Sequence, residues 1–151
     1  MKLVYHFYIA SSLENIWSIL TTPEGSSKIF YGAEVHSTFK KGDSIQYIGP
    51  GRDGDNTLHI QGIIEDVKVN EKLKHTFIVG DAYRDNGNRF SSTITYELKP
   101  SEHFVKLIVI HDDWDEGDPA YENTKENWWL MLSNIKTLAE TGKPLNIGLH
   151  E

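Results

Sequence analysis

The hydrophobic pattern of this chain alternates between two periods, and the switch points divide it into elements. Residues 3–10 are β-branched and aromatic with two usable faces, which predicts a strand. Leu13, Ile16, Trp17 and Leu20 then recur at helical spacing. Ser11 with Glu14 three residues later reads as a capping box for that helix, with Ser12 sharing the role. The helix is expected to stop near Thr22, because Pro23 drives the residue before it out of helical geometry. Residues 23–30 read as a second short helix, broken by Gly32. The period then falls to two. Strands are predicted at 33–39, 44–48, 58–69, 73–79, 89–99 and 103–112. Turn-forming segments separate them: Lys41-Gly42-Asp43, the stretch 49–56, Asn70-Glu71, Asp85-Asn86-Gly87-Asn88 and Pro100-Ser101-Glu102.

The last element returns to helical spacing. Tyr121, Thr124, Trp128, Met131, Leu132, Ile135, Leu138 and Ala139 form one stripe. Asp118 is the predicted N-cap, Pro119 suits the first turn, and Gly142 and Pro144 end the helix. Trp129 falls one position off the stripe and is expected at the surface. Strands bracketed by helices predict an α+β fold. The expected architecture is a curved antiparallel sheet of about six to seven strands wrapped on a long C-terminal helix, with two short helices after the first strand. Residues 1–151 have the length of one domain, with no linker or repeat. A helix over a concave sheet leaves a gap, and such gaps are a usual home for small ligands.

Composition narrows the function. Apolar residues at 38% and charged residues at 25% exclude a disordered tail. Cysteine is absent, which excludes disulfides, thiolate metal sites and a cysteine nucleophile. The net charge of −7 comes without any basic cluster, so no nucleic-acid partner is expected. No segment approaches the ~20 apolar residues of a membrane span, so no membrane insertion is expected, and the cytoplasm is the default compartment.

Several constellations resolve into ordinary structure. The acidic run 112–118 fails the calcium-loop spacing in both frames, because Gly117 falls at position five counted from Asp113 and Trp114 occupies position three counted from Asp112. It reads as a solvated loop that places negative charge at a helix N-terminus. The seven histidines have no ligand spacing, and neither a metal nor a cofactor is expected. Neither a nucleophile elbow nor a phosphate-cradling loop is present. Strand alternation turns His75 inward with Leu73 and Phe77, and His111 inward with Leu107 and Val109. The plainest role for both is a hydrogen-bonded core histidine, the functional one a polar anchor in an apolar cavity. Tyr96 offers apolar area plus one hydroxyl. The predicted ligand-binding set is His75, Phe77, Tyr96, Val109, His111, Trp128 and Leu132, and no catalytic residue is assigned.

A series of local motifs adds a family likeness. They are Ser11-Ser12-Leu13-Glu14-Asn15-Ile16-Trp17, Gly62-Ile63-Ile64-Glu65-Asp66-Val67 with Leu73-Lys74-His75-Thr76-Phe77, Thr93-Ile94-Thr95-Tyr96-Glu97-Leu98, Leu107-Ile108-Val109-Ile110-His111-Asp112, and the closing Trp128-to-Gly142 segment. In this order and spacing they resemble the SRPBCC (START and birch-pollen-allergen) superfamily. The branch is the bacterial one similar to the C-terminal domain of the activator of the heat-shock-90 ATPase. Two departures stand out. Asn127 replaces the Gly common before the Trp, and Ile29-Phe30-Tyr31 replaces a common Trp pair, which reshapes one mouth of the cavity. The resemblance implies the helix-grip fold. It also implies a function drawn from hydrophobic-ligand carriers and polyketide cyclases. Non-covalent binding of a small hydrophobic ligand, a lipid or an aromatic natural product, is the leading expectation. A cyclase or dehydratase using the same cavity is the alternative. A chaperone-modulating protein partner at the surface is the third.

Overall fold

The computed structural model describes residues 1–51, 54–80 and 89–146. In chain order the elements are β1 (Leu3–Ile9), α1 (Leu13–Thr21), α2 (Pro23–Ile29), β2 (Glu34–Ser37), β3 (Ser44–Pro50), β4 (Asn56–Lys68), β5 (Lys72–Val79), β6 (Ser92–Pro100), β7 (Val105–Asp112) and α3 (Ala120–Thr141). The strands form one antiparallel sheet in the order β1-β7-β6-β5-β4-β3-β2. This is the expected α+β helix-grip layout, with seven strands. Both register shifts, opposite Tyr47/Ile48 and at Ile64/Asp66, leave an extra residue on β4, His59 and Glu65, and bend that strand. No helix among the described residues is long and apolar enough to cross a membrane. The predicted turn at Asp85-Asn86-Gly87-Asn88 lies outside the described residues, as do Arg52, Asp53 and His150.

The start of α1 differs from expectation by one residue. The chain stays extended through Ser12, whose hydroxyl accepts from the Asn15 N–H at 3.1 Å. Helical geometry begins at Leu13, so Glu14 sits too early in the first turn to close a box with Ser11. Ser11 Oγ instead accepts from Asn15 Nδ2 at 2.8 Å. Thr22 serves both short helices. Its hydroxyl donates to the Ser18 carbonyl at 2.7 Å and accepts from the Gly25 N–H at 3.0 Å. The two helices meet so closely at Gly25 that a Cβ there would lie 2.5 Å from Ile19 Cα.

Strand ends also shift for local reasons. β2 stops at Ser37, where the hydroxyl donates to the Ser44 carbonyl and accepts from the Phe39 N–H. β6 begins at Ser92, because the Ser91 N–H is taken by the Asp115 carboxylate at 2.7 Å. The cap position of α3 is Pro119, one residue later than the expected Asp118, and Asp118 Oδ1 accepts from the Ala120 N–H at 2.9 Å from just outside it. Gly142, at φ +79°, closes its far end in the left-handed conformation that glycine adopts freely.

Cross-strand register places side chains of the concave face in rows. Ile64, His75, Ile94, His111 and Leu3 form one row across β4, β5, β6, β7 and β1. Leu73, Tyr96, Val109 and Tyr5 form the next. Against these rows α3 buries Thr124, Trp128, Met131, Leu132, Ile135, Leu138 and Ala139, the predicted stripe with Tyr121 half-exposed at its start. Asn134 is buried beside them and was not foreseen. Its side chain joins the Lys28 carbonyl at 3.0 Å to the Leu145 N–H at 2.6 Å, tying α3 to α2 and to the segment after α3.

Candidate functional site

The position of α3 over the sheet is set by its tethers. The Tyr5 hydroxyl donates to the Thr124 carbonyl at 2.9 Å, Lys136 Nζ to the Tyr8 carbonyl at 2.7 Å, and the Ala10 N–H to Glu140 Oε2 at 2.7 Å. All three run to β1 or to the residue that follows it. The helix is therefore held close over the β1 side of the sheet. On the other side, over β3 to β6, a cavity of about 840 Å³ remains beneath its N-terminal half.

The cavity is built from large apolar side chains and few polar groups. Tyr47, Ile60, His75, Phe77, Val79 and Tyr96 form its sheet side, and Thr124, Trp128 and Met131 its roof. Phe30 packs edge-on against Tyr47 at 5.3 Å and tilted against Trp128 at 6.5 Å, closing the end near α2. Tyr31, His59, Phe90, Asp118, Asn123 and Asn127 stand around the mouth.

Of the predicted set, His75, Phe77, Tyr96 and Trp128 line this cavity. Val109, His111 and Leu132 do not. Val109 and Leu132 are fully buried in the closed half of the helix–sheet interface. His111 is sealed off by Phe77 at 4.7 Å, Trp128 at 5.4 Å and a stacked Trp114 at 4.0 Å. Tyr47 was missed, although alternation with Ile45 along β3 is the signal that turns it inward. Ile60, Val79 and the mouth residues other than Tyr31 were also missed. Phe30 and Tyr31 had been marked only as a reshaped mouth.

The two buried histidines are both neutral, for the same dominant reason. His75 is 1% exposed. Burial lowers its pKa to about 4, against a smaller opposing effect of its bond to the Thr76 carbonyl. Burial, and then repulsion by any charge on His75, lowers His111 to about 3. His75 Nδ1 is 2.7 Å from the Thr76 carbonyl oxygen, and its Nε2 meets no partner in the protein. His111 Nε2 is 2.7 Å from Ser92 Oγ, and its Nδ1 meets none. A serine beside an imidazole is the spacing of a nucleophile and its base. Here both residues are buried away from the cavity, and no carboxylate orients the ring. Tyr47 and Tyr96 have pKa values raised by burial, so both stay as neutral hydroxyls. Among the described residues neither hydroxyl has a hydrogen-bond partner, and no group of three acidic or histidine side chains is placed to hold a metal.

These features coincide with a known sequence family. The family described as Activator of Hsp90 ATPase homolog 1-like protein matches residues 10–140. The chain belongs to that family. The Aha1-like assignment puts it in the SRPBCC superfamily, as the motifs suggested. No curated protein sequence matches the chain significantly. Among solved structures, the Aha1 dimer from Colwellia psychrerythraea matches with a TM-score of 0.71 at 18% identity, over 95% of this chain and 98% of that one. A protein from Arthrobacter aurescens matches with a TM-score of 0.75 at 14% identity, over 99% and 92%. DynU16, from the dynemicin biosynthetic locus, matches with a TM-score of 0.70 at 18% identity, over 95% of this chain and 48% of that one. At such identities the likeness to these structures establishes the Aha1-like fold and nothing finer.

Proposed function

We propose that this protein binds a small, mostly apolar ligand, a lipid or an aromatic natural product, in the cavity between the sheet and α3. The observation that carries the reading is the cavity itself, about 840 Å³ with aromatic and aliphatic walls and a few convergent polar groups. Small-molecule sites have this size and this composition. An open apolar cavity also forgoes the packing that a collapsed core would gain. A ligand restores it. Membership in a family that commonly binds hydrophobic ligands supports the reading.

Binding without chemistry is the better supported form. A cyclase or dehydratase working by general acid–base catalysis is best served by an imidazole held by a carboxylate. His75 is held by a backbone carbonyl, and His111 by a serine hydroxyl. The test is a titration with the neutral apolar dye N-phenyl-1-naphthylamine. The dye fluorescence is expected to rise saturably while the indole emission changes, because Trp128 is the cavity roof. If no dye or hydrophobic compound from a broad panel changes the emission or the thermal midpoint, the reading fails. The surface-partner alternative then moves ahead.

A further inference from the structure

His75 lies on the sheet side of the cavity, and the residue after it decides its chemistry. Nδ1 is 2.7 Å from the Thr76 carbonyl oxygen. A carbonyl only accepts, so Nδ1 carries the proton and donates it there. The other nitrogen, Nε2, is left with a lone pair. It is buried and has no partner in the protein. The Tyr47 ring is 6.0 Å away between centroids, and its hydroxyl does not reach Nε2. Burial keeps the imidazole neutral, so the lone pair persists at neutral pH. A desolvated acceptor without a donor is costly, and a donor that enters the cavity with a ligand removes that cost.

The rest of the lining sets the ligand's charge. The described residues around the cavity include no lysine and no arginine, while Asp118 stands at the mouth. A carboxylate drawn into this space would leave water without meeting a lysine or arginine among the described residues, which is strongly unfavourable. The hydroxyls of Tyr47 and Tyr96 are neutral donors in the same cavity.

We propose that the ligand is an uncharged apolar alcohol or phenol whose hydroxyl donates to His75 Nε2, in preference to a hydrocarbon or a carboxylic acid. This rests on the cavity-binding reading above and adds the chemistry of one end of the ligand. Ligand shape is set by the aromatic walls, and ligand polarity by one nitrogen.

Three probes of one ring system separate the terms: naphthalene, 2-naphthol and 2-naphthoate, each competed against N-phenyl-1-naphthylamine at pH 7. The wild type and His75→Phe are compared. The ratio of 2-naphthol to naphthalene affinity is expected to be about tenfold higher in the wild type, the upper end of a net hydrogen bond. In the wild type, 2-naphthoate is expected to bind most weakly. An equal ratio in the two proteins overturns the proposal, and so does tightest binding of 2-naphthoate. Failure of all three probes to displace the dye from the wild type also overturns it. In each of these cases, binding of the dye itself leaves the cavity reading standing. A second measurement needs no variant. In ¹⁵N spectra of the wild type, Nε2 of His75 is expected to be unprotonated and to shift on adding 2-naphthol but not naphthalene. A proton found on Nε2 of the free protein, or an equal response to both probes, overturns the proposal.

Discussion

Lowering the pH from 7 to 5 is expected to destabilise this protein through His75 and His111, by an amount the burial of the two rings determines. In the unfolded chain an imidazole takes up its proton near pH 6.5. In the folded protein the same groups wait until about 4 and about 3. Between those values the unfolded state binds more protons, so stability falls as the pH falls. The loss begins near pH 6.5 and ends only where the folded rings protonate. At pH 5 both folded rings are still essentially neutral, so the loss depends on the unfolded value alone. It is about 2 kcal/mol for each ring between pH 7 and 5, hence about 4 kcal/mol for the two. That is a large share of the ~5–15 kcal/mol that holds a domain together. Urea unfolding followed by tryptophan fluorescence at constant ionic strength measures it. Exposed histidines and carboxylates titrate too, so the informative quantity is the difference between proteins. His75→Phe and His111→Phe should each flatten the dependence by about 2 kcal/mol relative to the wild type. If either variant keeps the wild-type slope to within about 0.5 kcal/mol, that ring titrates normally in the folded protein. The argument from burial is then wrong.

Two further substitutions test the fold. Ser12→Ala removes the cap of α1 and is expected to cost about 1 kcal/mol in chemical denaturation, while Ser11→Ala, which leaves the backbone cap intact, should cost less. An equal or reversed order would return the helix start to Ser11. Trp128→Ala is expected to cost about 3 kcal/mol, the low end for a buried tryptophan, because one face of the ring already borders open space. Trp128→Phe should leave the thermal midpoint nearly unchanged and alter dye affinity. Unaltered affinity would place the dye elsewhere.

The fold was readable because each element announces its period over enough residues. The stripe from Thr124 to Ala139 repeats for more than four turns, and strand alternation alone turned His75, His111, Phe77 and Tyr96 inward. Other features depend on how the elements settle on one another. Which half of the helix–sheet gap stays open is decided by the hydrogen bonds of Tyr5, Lys136 and Glu140 across the whole chain length. No local pattern reports them. Val109, His111 and Leu132 therefore looked equivalent to Tyr96 and Trp128 in sequence, yet they belong to the half that closed. Asn134 was invisible for a related reason. A polar residue on a helix reads as surface until its two partners, Lys28 and Leu145, are brought to it. The cap of α1 moved by one residue because Ser11 and Ser12 are chemically alike and only the backbone tells them apart.

The pairing of β1 has a consequence for how the chain comes into being. Its sheet partner is β7 alone, with Leu3 opposite His111, and its other main packing is against α3. Of the strands described, β1 is the earliest in the chain and thus among the last to find its place. Until β7 emerges, Tyr5, Phe7 and Ile9 have nothing to pair with, and closing so long a loop is slow. A nascent chain of this protein carries an unpaired aromatic strand until residues 105–111 have been made. Stalling or truncation before residue 105 would release it in that state.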